Sequence, residues 1–389
     1  MKRIQEIDAL RGFALFGIIL THMYQGYLAS SVPAEYFGYN LMYPIDNVSR
    51  WIVRNLFSGK FYAIFSMLFG LSFYLILDRK QNSSPLKFAW RLVLLFVIGY
   101  MNHVFYRGDF LVVYAIFGFV LLLARPLPSK YILPIGLFLA LNGPNIIIQG
   151  LNLLEFPLQL NWYIPMGPSP AQANNTYFDL ILHGDLKSVM VSNGTIGIIN
   201  KFNYLVHSGR FWVVPGLFLL GLWIGRQKYH ERLDQLKWGN IILISASIGI
   251  PMVFIHFHFY TADHSPFVRF IAFIAQELSN IFMPLLYIGL IFPFFNWNFT
   301  QKLLKFLVPV GRMGLSTYVI QSLFGIIIFY GYGLGLFLKI SATLAILLGV
   351  AVFAIQTIFS VWWFKRFKYG PLEWLWRSGT NLKWQAMKK

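Results

Sequence analysis

Apolar runs long enough to cross a bilayer recur along most of the chain, punctuated by short polar or charged stretches. A helix needs about 20 residues, each rising about 1.5 Å, to cover a hydrocarbon core of about 30 Å. By that ruler the pattern predicts ten transmembrane helices: Asp8 to Ala29, Phe57 to Leu77, Phe88 to Phe105, Asp109 to Ala124, Tyr131 to Gln149, Phe211 to Gly225, Trp238 to Tyr260, Pro266 to Phe294, Val310 to Leu334 and Ser341 to Phe364. A short amphipathic stretch, Ser49 to Leu56, precedes the second, and a tight Tyr106-Arg107-Gly108 turn joins the third to the fourth. Between residues 150 and 210 the pattern fails. Pro157, Pro165, Pro168, Pro170 and several Asn residues there mark irregular structure, with a short interfacial helix expected from Tyr177 to Asn200. The expected fold is all-α: a polytopic membrane helix bundle forming one domain over residues 1–389, with an extracytoplasmic insertion at 150–210.

Composition strengthens this reading. Of 389 residues, 57% are hydrophobic and only 12% charged, and the mean hydropathy is +0.59. A soluble domain carries about twice that share of charge, so the bilayer is the first partner. Cysteine is absent, which removes thiol nucleophiles, thiolate metal sites and lipidated cysteine anchors. The net charge of +18 would raise the question of nucleic acid in a soluble protein. Here it reports sidedness instead, and no nucleic-acid partner is expected. Most of the 32 lysines and arginines fall on the side of the N-terminus, so the positive-inside rule puts both termini on the cytoplasmic side of a cell membrane. The basic start followed by an apolar run resembles a signal peptide in outline. It has full span length and no clean small-residue cleavage site, so it is expected to be retained.

An ionisable residue inside a membrane is costly and therefore a functional candidate by default. His22 and His103 both fall in the outer half, and Asp109 opens the fourth span a few residues beyond His103. An imidazole beside a carboxylate is what a general base requires, which makes His103 with Asp109, or His22, candidate catalytic groups. A solvated polar turn accounts for the same residues. On the inner side Arg11, Arg91 and Arg312 each stand at the start of a span, where three guanidinium groups can aim at one phosphate. Asp8, three residues before Arg11, is placed to pair with it, and Lys80 and Lys87 stand in the adjoining loop. Ordinary anchoring of span ends explains the arginines equally well. Glu277 is the one acid well inside a span, and Tyr318 and Gln321 form a polar strip near mid-membrane, so these three are candidate substrate contacts. His256, His258, Asp263 and His264 cluster at an outer span end, but residues two apart do not share a helix face, and no metal is expected.

Several of these segments together resemble a known family. Ile7-Asp8-Ala9-Leu10-Arg11-Gly12-Phe13-Ala14-Leu15-Phe16-Gly17-Ile18 resembles the opening motif of the YeiB-like bacterial membrane proteins, whose function is unassigned. Gly59-Lys60-Phe61, Phe65 to Gly70, Arg91 and Gly108 to Ala115 continue the match, and Gly311 to Tyr318 with Gln321-Ser322 resembles the family's second signature. That family is distantly similar to transmembrane acyltransferases typified by heparan-alpha-glucosaminide N-acetyltransferase, which pass an acetyl group from cytoplasmic acetyl-CoA to a sugar amine. The resemblance implies acyl-CoA as donor substrate, held by Arg11, Arg91 and Arg312. The acceptor would be an extracytoplasmic hydroxyl or amine on a small molecule, lipid or glycan. His22 falls where those enzymes usually have Asn, and the position of their proposed catalytic His falls near Ser49, in a stretch without His. If the chemistry is retained, His22, or His103 with Asp109, replaces that base. The competing expectation is a small-molecule or lipid transporter or flippase, with Glu277, Tyr318 and Gln321 along its path. A homo-oligomer is compatible with either.

Overall fold

The computed structural model describes residues 4–29, 44–79, 84–154, 170–261, 263–295 and 298–389. Among these residues the only β feature is one antiparallel bridge, Phe367 to Lys388; the rest is helix and connections. The chain is a polytopic bundle of membrane-type helices. Six helical stretches are long and apolar enough to cross a membrane: α1 (Gln5–Tyr24), the run Pro44–Asp78, α4 (Pro85–Phe105), α12 (Trp238–Phe259), α13 (Pro266–Phe295) and α16 (Ala342–Arg366). The run Pro44–Asp78 comprises α2 (Pro44–Ile52), a π turn at Val53–Phe57, α3 (Phe61–Phe73) and a second π turn at Tyr74–Asp78. Three bent pairs bring the number to nine, and α5 (Leu111–Ala124) is a shorter apolar helix. Each of the ten expected spans falls on one of these segments.

Three expectations need correction. The fifth span is not continuous: α6 (Ser129–Ala140) and α7 (Gly143–Leu153) meet at 53°. Asn142 sits between them in the left-handed region, φ 57°, and Pro144 lacks the N–H that would continue α6. The ninth span begins later than Val310, because α14 (Asn298–Arg312) ends before Met313 and α15 (Gly314–Phe329) starts in a new direction. The segment 150–210 is also more ordered than its composition suggests. The prolines at 157, 165 and 168 lie outside the described residues. Pro170 opens α8 (Pro170–His183), followed by α9 (Leu186–Ser192) and α10 (Ile198–His207). Tyr177, Phe178, Ile181, Val189 and Leu205 are buried, so these helices pack into the bundle and lead through Gly209 into α11 (Arg210–Arg226).

Burial sorts the helices. α11 is covered on nearly all sides, as a helix apolar all round should be. By contrast α4 exposes Trp90, Val97 and Met101, α12 exposes Leu243, Ile250 and Phe254, and α16 exposes Leu347, Ile355 and Ile358. Such stripes would be a liability in water and are natural against lipid. The inner helices approach through small residues: a Cβ on Gly70 would stand 2.0 Å from the Phe218 carbonyl oxygen, and one on Gly221 2.0 Å from that of Met67. The same arrangement joins α1 to α14 through Gly12 and Gly311.

The C-terminal helix α17 (Pro371–Asn381) was not foreseen, and it closes one end of the bundle. Its Glu373 carboxylate accepts bonds from the Leu315 N–H (2.7 Å), the Ser316 N–H (3.1 Å) and the Ser316 hydroxyl (2.6 Å), capping α15 from a distant part of the chain. Removing it leaves buried donors unpaired, so Glu373→Ala should cost about 1–3 kcal/mol in thermal or denaturant unfolding of the detergent-purified protein. Burial pushes the Glu373 carboxyl above the usual carboxylate range, against the opposing pull of its bonds to Ser316 and Leu315. The folded state therefore holds this proton more tightly than the unfolded chain. Its contribution is full below the unfolded value and declines as pH rises through the folded one. Glu373→Gln should remove that part of the pH dependence.

Candidate functional site

At the end closed by α17 the helices surround a cavity of about 330 Å³. Arg11 of α1, Arg91 of α4 and Arg312 of α14 all line it, although they come from three separate parts of the chain, and Arg377 of α17 joins them. Arg11 donates from Nη1 to Asp8 Oδ1 (3.0 Å), the expected local ion pair, and from Nη2 to Ser72 Oγ (2.7 Å). The Arg91 guanidinium lies 3.5 Å from the centre of the Trp376 ring, and the Trp376 indole N–H donates to the Arg91 carbonyl (2.8 Å). Arg312 and Arg377 lie over Phe364 (4.0 Å) and Tyr369 (4.7 Å). Each guanidinium is thus held in place by an aromatic face or a hydrogen bond. The local acids are committed, Asp8 to Arg11 and Glu373 to α15, so the cavity rim is strongly positive.

Away from the arginines the walls become apolar. Phe65, Phe69, Leu92 and Leu315 lead to Tyr114 and Tyr318. The Tyr114 hydroxyl shares a hydrogen with Ser66 Oγ (2.7 Å) and bonds to the Tyr62 carbonyl (3.2 Å). The Tyr318 hydroxyl accepts from the Phe110 N–H (3.0 Å), and its ring centre is 6.5 Å from that of His22. Tyr318 therefore touches both the cavity and the polar cluster beyond it. His22 also stands against Tyr27 and Tyr106, with ring centres 5.3 and 5.6 Å away. All three tyrosines are buried while His22 keeps some accessible surface.

His103 and Asp109 are both fully buried but do not bond to each other. Asp109 Oδ1 accepts from Asn102 Nδ2 (2.7 Å), Oδ2 from the Val112 N–H (3.1 Å), and its carbonyl from Lys201 Nζ. This carboxylate fastens the start of α5. The His103 ring packs beside Tyr100, 6.4 Å between centres, with the backbone of Asn193 and Arg107 as its hydrogen-bond neighbours. Glu277, Tyr318 and Gln321 likewise occupy separate settings. Glu277 Oε1 accepts from Asn142 Nδ2 (3.0 Å) at the α6–α7 break, and Gln321 Nε2 donates to Gln356 Oε1 of α16 (3.1 Å). Of the inner lysines, Lys80 lies outside the described residues and Lys87 is exposed. His256 Nδ1 contacts the Ala272 carbonyl (3.1 Å), and no group of three or more metal-ligand side chains occurs among the described residues.

Sequence reasoning missed Arg377, Trp376 and Glu373, because α17 is too short and polar to register as a span. It also passed over Lys201, in the segment read as irregular, and Arg210, taken as a span boundary. Lys60 was noticed only inside a motif; its Nζ donates to Asn280 Oδ1 (3.0 Å) at the N-terminal end of α3.

A family model described as "Protein of unknown function (DUF418)" matches residues 224–383, which include α12 to α17. The uncharacterized protein YxaH of Bacillus subtilis (strain 168) is 28% identical across 100% of this chain and 96% of its own. The uncharacterized protein YeiB of Escherichia coli (strain K12) is 27% identical across 98% of this chain and 97% of its own. An uncharacterized 39.9 kDa protein in the amylase 3' region of Bacillus acidopullulyticus is 28% identical across 100% and 97%. No solved structure matches. With relatives aligned from end to end and the family model covering the part that holds Arg312, Tyr318 and α17, the chain is similar over its whole length to the YeiB-like membrane proteins, whose function is unassigned.

Proposed function

We propose that the protein is a membrane acyltransferase that draws an acyl group from cytoplasmic acyl-CoA and passes it to a hydroxyl or amine on the opposite side. The observation that carries this reading is the convergence of Arg11, Arg91, Arg312 and Arg377 on one apolar-walled cavity. A positive rim suits the phosphates of CoA, and an apolar interior suits the acyl-pantetheine arm. About 330 Å³ is enough for that arm and leaves the nucleotide at the mouth. Tyr318 adjoins His22, 6.5 Å between ring centres, so a thioester reaching Tyr318 would approach that imidazole. His22 would take the acceptor's proton as its oxygen or nitrogen bonds to the acyl carbon. The carbon–sulfur bond breaks, and the proton returns to the departing thiolate. The transporter alternative would run along Glu277, Tyr318 and Gln321; Tyr318 and Gln321 lie one turn apart on α15, while Glu277 is held by Asn142 at the α6–α7 break.

The test is thermal stability of the detergent-purified protein with millimolar acetyl-CoA. A ligand at 100 times its Kd stabilises the folded state by about 2.7 kcal/mol, readable as a rise in Tm. The rise should disappear in Arg91→Ala and Arg312→Ala and persist in Lys87→Ala. Arg91→Lys should not restore it, because a planar group stacked on Trp376 is being replaced by a point charge. Absence of any response to acyl-CoA would shift the assignment to transport, and flux assays would follow.

A further inference from the structure

Arg210 opens α11 at the end remote from Arg226, whose guanidinium pairs with Asp78 (2.7 Å) near the arginine cavity. It therefore lies on the outer side of the same bundle. Its guanidinium carbon stands 5.2, 5.7 and 5.0 Å from the ring centres of Tyr62, Phe110 and Tyr204. These rings come from α3, the turn before α5, and α10, so the cage is assembled by the fold rather than by one local stretch. The Tyr62 hydroxyl is a hydrogen-bond neighbour of Arg210. Arg210 is half-buried and forms no ion pair with a carboxylate among the described residues. Glu277 is within electrostatic reach, but its Oε1 is engaged by Asn142 and it also faces Lys60. Two cations thus share one carboxylate, leaving a net positive site. His22, Tyr62 and Tyr114 also lie within electrostatic reach of Arg210.

We propose that Arg210 anchors the acceptor and that the acceptor is a hydroxyl compound carrying an oxyanion, of the phosphate-ester class. This rests on the acyltransferase reading and specifies the substrate on its outer side. A guanidinium fork matches two phosphate oxygens, and the surrounding rings offer apolar faces to a carbon skeleton. Anchoring the anion at Arg210 would leave the acceptor's hydroxyl directed towards His22. Its attack on the thioester then forms an ester bond and releases CoA thiol, with no co-reactant needed. The phosphate ester can belong to a lipid headgroup or to a soluble molecule, since both present the same group.

Binding of glycerol phosphate to the detergent-purified protein, and of phosphatidylglycerol in nanodiscs against phosphatidylcholine, separates the two sources without requiring turnover. One of these probes should bind, neutral glycerol should not, and Arg210→Gln should weaken binding at least tenfold. Acetyl-CoA stabilisation should survive in the same variant, which also establishes that it is folded. Glu277→Gln, which removes the competing negative charge, should tighten binding. Unchanged affinity in Arg210→Gln, loss of binding in Arg91→Ala instead, or no binding of either probe would overturn the proposal. If a probe binds through Arg210 while no acyl-CoA binds anywhere, the anion site stands and the acyltransferase reading fails. If acetyl-CoA binds normally and neither probe does, the reverse holds.

Discussion

Gly311→Ala is expected to unfold the protein or leave it several degrees less stable, although it adds a single methyl group. A Cβ at this position would stand 1.8 Å from the Asp8 carbonyl oxygen and 2.8 Å from the Gly12 nitrogen. On the facing helix, a Cβ on Gly12 would meet the Leu307 carbonyl oxygen at 2.4 Å. The obstruction is backbone on both sides, so no rotamer change relieves it and α1 must part from α14. Overpacking usually costs about 1–3 kcal/mol, and a clash between two main chains belongs at or above the top of that range. Gly314→Ala is the internal control, because its Cβ would meet only Leu15 Cδ1 at an ordinary 3.7 Å. Thermal unfolding of the two variants side by side checks the difference. A functional consequence follows from the same geometry. Gly311 precedes Arg312, and Asp8 holds Arg11, so separating the helices widens the arginine rim. Any Gly311→Ala protein that survives purification should respond less to acetyl-CoA than the unsubstituted protein.

The arginine cluster shows what a single sequence can disclose about a membrane bundle. Counting residues from the ends of apolar runs fixes depth, and Arg11, Arg91 and Arg312 were each legible as residues at the same inner level. Depth alone does not fix direction around the helix axis, which is why anchoring and ligand binding are equal readings of the sequence. Direction also explains the fate of His103 and Asp109. They are close along the chain, but the turn at Tyr106 to Gly108 carries Asp109 to the start of α5, where the Val112 N–H and Asn102 satisfy it. The break at Asn142 was written in Asn-Gly-Pro, a strong turn signal overlooked inside an otherwise apolar run. α17 was illegible for a different reason: its role depends on Glu373 and Trp376 meeting α15 and α4, contacts that no local pattern announces.

His22→Ala should reduce acyl transfer by about 10²–10⁴-fold, the usual worth of a positioned general base, while leaving the acetyl-CoA rise in Tm in place. The separation of these two readouts follows from position. His22 is not among the residues lining the arginine cavity, so its loss removes no contact to the donor. Its ring instead faces Tyr318 across the cavity's far wall and lies within electrostatic reach of Arg210 on the outer side. It is the described imidazole positioned between the proposed donor and acceptor sites. His103→Ala should behave differently. That ring is fully buried beside Tyr100, so truncation opens a cavity and should lower Tm with a smaller effect on turnover per folded molecule. Measuring both variants for Tm, acetyl-CoA response and transfer of labelled acetyl to the acceptor distinguishes chemistry from packing. Full activity in His22→Ala with loss in His103→Ala would transfer the base role to His103 and require His103 to gain access to the acceptor during turnover.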